Sequence, residues 1–247
     1  MSNTTLNITR NHYFPQFLIR NWAYDGGKHV YKNVLHSYYE TNRKNKQVST
    51  KQILFGNEIY DNDTELQTSK DDNNLALFIQ SLTNKANVTN DTFTNVMFLR
   101  LIFKLFARQP SLNETLYKAF EKAILSEPYL TLGVRNRVNI DMRVRRWINA
   151  KFFASQQYDI SSDYVKATYT FLLNKTSTPF ILPDNIKQLS LPLTPDIMVR
   201  IALLAQPFPR VVIRDVTDSK RIDNINAELI KNCDNYYISK CPSDMTV

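Results

Sequence analysis

The chain has only four glycines and two cysteines in 247 residues. So little glycine argues against the loops that wrap phosphates in P-loop and dinucleotide-binding enzymes, because those loops need bare backbone against the ligand. No Gly-x-Ser-x-Gly, His-Glu-x-x-His or paired Cys-x-x-Cys occurs, which removes the esterase elbow, the zinc protease and the zinc ribbon. Cys233 and Cys241 have no neighbouring histidine, form neither a zinc pattern nor a disulfide framework, and are expected as free thiols. The opening residues lack the basic and apolar regions of a signal peptide, so the expected setting is cytoplasmic and reducing. The most apolar stretch, residues 96–107, is short and carries Arg100 and Lys104, so no membrane partner is expected.

What the chain does have is positive charge, 31 Lys and Arg against 23 Asp and Glu, for a net +8. Such a surplus concentrates polyanions near a surface without locating a site. No repeat or linker divides the chain, and one domain over residues 1–247 is the expectation.

Local patterns predict the elements. Asp25-Gly-Gly27 is a turn signal that leads into a strand at residues 28–32, and the polar, basic run 41–51 reads as an exposed loop. An apolar helix is expected over about 74–82, and another from an Asp91 N-cap to Arg108, where Pro110 ends it. Ser111-Leu-Asn-Glu114 is a capping box for a helix with Leu112, Leu116, Phe120 and Ile124 on its core face, and a further helix is expected over 137–157. From Asp163 onward β-formers dominate, predicting strands at 164–172, 179–182, 187–191, 198–204 and 210–214, a helix at 219–232 and a strand at 236–239. The expected class is α+β, with a helical middle and a mainly antiparallel sheet formed largely by the C-terminal part.

Five segments resemble, in order, the bacterial and phage family known as domain of unknown function 4238. They are the opening Asn11-His12-Tyr13-Phe14-Pro15 through Leu18-Ile19-Arg20-Asn21-Trp22; Tyr60, Glu65 and Asp72; Phe180-Ile-Leu-Pro-Asp184-Asn185; Leu191-Pro-Leu-Thr-Pro-Asp196; and Asn224-Ile-Asn226-Ala227. Phe14 and Trp22 stand where the family usually has valine and phenylalanine, Asp72 where it has glutamate, and Ile186 where it has proline. The resemblance implies a recurring set of polar groups and no activity, so any role must come from their chemistry.

His12, Glu65, Asp72 and Asp184 are the candidate catalytic set. Carboxylate oxygens suit Mg²⁺ or Mn²⁺, so Glu65, Asp72 and Asp184 are candidate metal ligands, with His12 as ligand or general base. In a basic protein that set suits phosphodiester hydrolysis, with Arg20 or Arg108 neutralising phosphate and Asn185 beside it. On the structural alternative Glu65 and Asp72 are helix-leading acids, Asp184-Asn185 is a turn, and His12 bonds into the start of the fold. A second candidate is the basic run with Arg143, Arg145 and Arg146 before Trp147, suited to phosphate contact and base stacking. Two functions follow as expectations. One is a metal-dependent nuclease acting on RNA or DNA, as a toxin-like effector in phage–host conflict. The other is a non-catalytic module binding a nucleotide, nucleic acid or protein partner.

Overall fold

A computed structural model describes residues 10–12, 14–35, 46–57, 62–83, 93–107, 109, 167–186, 188–203 and 209–241, with backbone alone for some of them. The elements, in order, begin with β1 (Arg10–His12), α1 (Gln16–Arg20), β2 (His29–Val34), β3 (Lys46–Ser49), β4 (Phe55–Asn57), α2 (Asn62–Thr83) and α3 (Val96–Ala107). They continue with β5 (Ala167–Asn174), β6 (Leu182–Pro183), β7 (Ser190–Thr194), β8 (Ile197–Leu203), β9 (Arg210–Val216), α4 (Ser219–Asn232) and β10 (Tyr236–Ser239). The class is α+β.

Two four-stranded sheets form, in orders β3-β2-β10-β6 and β7-β8-β5-β9, beside a β1-β4 ribbon. All pairings are antiparallel except β5 with β9. The C-terminal part supplies the second sheet and half of the first, and β2 and β3 complete the first from the opening fifty residues. Lys46–Ser49 therefore corrects the expected 41–51 loop. Its residues lack an apolar pattern, but their backbone completes the edge of β2, with Val48 opposite Val30.

The odd positions of β5 face the larger core, where Phe171 meets Phe93 and Phe98 beside α3. The even positions face the other way. There Leu172, Met198 and Val216 are covered by α4 through Ile222, Ile225, Leu229 and Ile230, a 3.6-residue stripe. Each such side chain stabilises by about 1.5–3 kcal/mol when fully buried.

Helix α3 begins at Val96, because Asn95 Oδ1 accepts the N–H groups of Met97 and Phe98. Asp91, the expected cap, lies outside the described residues. Helix α2 starts twelve residues earlier than its apolar segment suggested. Its first half is polar, and among its described side chains Thr68 alone is buried, ahead of Leu75, Ile79 and Leu82 on the same side. The expected helices at 112–128 and 137–157 lie outside the described residues. Among the described residues no helix is long and apolar enough to cross a membrane. Cys233 and Cys241 are free thiols, as expected.

Candidate nucleic-acid interface

The segment 179–185 is the meeting point of the recurring polar residues. Trp22, wholly buried, donates its indole Nε1–H to the Phe180 carbonyl at 2.7 Å. Asn21 Nδ2 donates to the Leu193 carbonyl. On α4, Asn226 donates to the Pro179 carbonyl at 2.9 Å and accepts from the Ile181 N–H at 3.2 Å. An irregular buried segment would strand its backbone groups, and these side chains satisfy them.

Asp184 completes the arrangement and is 5% exposed. Its Oδ1 accepts from the Asp234 N–H at 2.8 Å, and its Oδ2 from the Asn235 and Tyr236 N–H groups at 2.8 and 3.2 Å. The carboxylate thus fastens the β6 turn to the link between α4 and β10. Lys32 lies nearby, 4.1 Å above the Tyr236 ring. Burial lowers its pKa from the ordinary lysine value, the Asp184 charge opposes that shift, and Lys46 adds to it. Asn185 donates to Asp234 Oδ2 at 2.6 Å.

The other expected site residues lie elsewhere. His12 is in β1 opposite Phe55, and Glu65 is in the first half of α2, both with side chains outside the described residues. Asp72 is half-buried on α2 with an interaction partner, beside Asp71, which pairs with Lys104 of α3 at 2.8 Å. Arg20 is exposed on α1 and donates to Gln16 Oε1. Among the described residues no group of three His, Cys, Asp or Glu could hold a metal ion. Arg143, Arg145 and Arg146 lie outside the described residues.

Register exposes a basic surface that residue spacing did not. On the even face of the second sheet, Ser190, Arg200, Thr170 and Val212 form one row, and Ala202, Thr168 and Arg210 the next. Arg214 lies beside Leu172 on the α4 side. Helix α4 covers one end of this face, leaving Arg210, Arg214 and Ala202 exposed. Arg200 pairs with Glu228 of α4 at 3.1 Å. Arg210 and Arg214 have no ion-pair partner among the described residues. The signal available in sequence was the spacing Arg210-Val-Val-Ile-Arg214, which puts both arginines on one side of a strand. Arg200 could join them only once β8 and β9 were known to flank β5.

No curated protein and no solved structure matches the chain significantly. One family model matches residues 10–243, the span that holds both sheets and all five motif segments, and the chain belongs to that family, described as protein of unknown function (DUF4238).

Proposed function

We propose that the chain is a nucleic-acid-binding module, acting in the cytoplasm on RNA or DNA, whose contact surface is the open even face of the second sheet. The observation that carries this reading is the pair Arg210 and Arg214, exposed on one strand face with no ion-pair partner among the described residues. Arginine offers a planar fork of donors that fits phosphate, and Thr170 on β5, the strand between β8 and β9, adds a hydroxyl group. The net charge of +8 favours the same ligand. Arg143, Arg145 and Arg146 extend the contact in this proposal.

A metal-dependent nuclease would instead need Glu65, Asp72 and Asp184 around one ion, with His12 beside it. Asp184 is the reason for preferring binding without cleavage. Three backbone N–H groups already occupy its oxygens, and removing them for a metal would strand three amides.

The test is incubation of the full chain with labelled RNA and DNA oligonucleotides, with Mg²⁺, with Mn²⁺ and with a chelator, reading both anisotropy and strand integrity. Binding in all three conditions with intact strands is expected. Absence of binding at low salt would overturn the proposal, and metal-dependent cleavage would restore the carboxylate site.

A further inference from the structure

Arg200, Arg210 and Arg214 lie on the same face of the second sheet, and among the described residues Arg200 alone has an ion-pair partner. Register sets Arg200 of β8 opposite Thr170 of β5, and Thr170 opposite Val212 of β9. Val212 is midway between Arg210 and Arg214, so Arg200 stands level with the middle of that pair, two strands away. A rise of about 3.3 Å per residue and a strand spacing of about 4.8 Å put the three Cα atoms at the corners of a triangle with sides of roughly 12–13 Å.

The partner of Arg200 is Glu228 of α4, whose Oε2 accepts from Arg200 Nη2 at 3.1 Å. Glu228 is held at this border of the face by its neighbours on the helix, since Ile225 and Leu229 are buried against the sheet. The pair itself is open to water, with side chains 38% and 61% exposed. Such a pair is screened and contributes little, so it yields readily to a competing anion. A carboxylate and a phosphate offer the guanidinium the same kind of charged oxygen acceptor.

We propose that Arg200 is the third phosphate-binding residue of this face and that Glu228 holds it closed, standing where a phosphate of the bound strand would dock. The inference rests on the sheet-face reading above. With Glu228 in place, binding draws on Arg210 and Arg214, and a phosphate approaching Arg200 meets a carboxylate. With that charge removed, all three guanidinium groups take phosphates. The contact is a brake on affinity set by one side chain of α4.

The experiment measures the affinity of single-stranded oligo-thymine of about 12 nucleotides for the full chain by anisotropy across a salt series. Glu228→Gln keeps the shape, removes the charge and changes an exposed side chain, so the fold is retained. One added phosphate contact should steepen the slope of log affinity against log salt by about 0.7, roughly a tenfold gain at about 50 mM salt. Asp223→Asn removes another exposed carboxylate of α4 as the control for net charge, and should leave the slope unchanged. Adding Arg200→Gln to Glu228→Gln should return the slope to that of the parent. An unchanged slope in Glu228→Gln overturns this inference alone, as does an equal steepening in Asp223→Asn or a gain that survives the loss of Arg200. Absence of binding by the parent and by Glu228→Gln at low salt overturns the sheet-face reading together with it.

Discussion

A carboxylate that accepts three backbone N–H groups has no neutral equivalent. In Asp184→Asn only one oxygen remains, and the new NH₂ is turned toward groups that themselves donate. We expect the change to lower stability by about 2–3 kcal/mol in urea unfolding. Full stability with lost metal or nucleic-acid binding would return Asp184 to a functional site. A second residue gives a pH signature. Asp25 accepts from the His29 ring and from the backbone N–H groups of Lys28 and His29. Its pKa is lowered chiefly by the His29 side-chain hydrogen bond, against desolvation and with help from the backbone bonds and the His29 charge. A lowered folded-state value stabilises the fold above the unfolded pKa, and the contribution is lost as pH falls through the lowered one. The difference in Tm between the parent and Asp25→Asn should be full at neutral pH and close below the ordinary aspartate value of 3.8. A difference independent of pH would contradict this.

Elements with strong local signals were legible. Helix α4 and strand β10 fall on the residues that their patterns predict, 219–232 and 236–239. Asp218 caps α4 by accepting the Lys220 N–H, and the apolar stripe is regular. Asp218→Ala should therefore cost about 1 kcal/mol, read by thermal melting, and an unchanged Tm would show the cap to be idle. Weaker local signals gave shifted bounds. The expected strand at 179–182 is mostly an irregular segment, with β6 reduced to Leu182–Pro183. Its β-forming residues are buried there by Trp22 and Asn226, not by a ladder. The expected 187–191 strand begins at Ser190, where pairing with Arg200 starts. Local pattern reports which face of a segment is apolar. It does not report which distant segment supplies the hydrogen bonds.

At the scale of the whole molecule the α+β class followed from composition and order of patterns, and the family from five spaced motifs. The polar members of those motifs looked like a reaction centre because histidine, carboxylates and asparagine recur in functional sites. Asn21, Trp22, Asp184 and Asn226 share an architectural task, holding segment 179–185 and its neighbours between two sheets and α4. That convergence spans up to about 200 residues of chain and could not be read from spacing. The basic face was hidden for the same reason, since Arg200 and Arg210 flank β5 only through its antiparallel and parallel partners. The most direct measurement of that face is the salt dependence of single-strand affinity in the parent and in Arg210→Gln/Arg214→Gln. Each phosphate contact contributes roughly 0.7 to the slope of log affinity against log salt. The double variant should bind more weakly with a slope shallower by about 1.4, at unchanged Tm because both side chains are exposed. An unchanged slope and affinity would contradict the account.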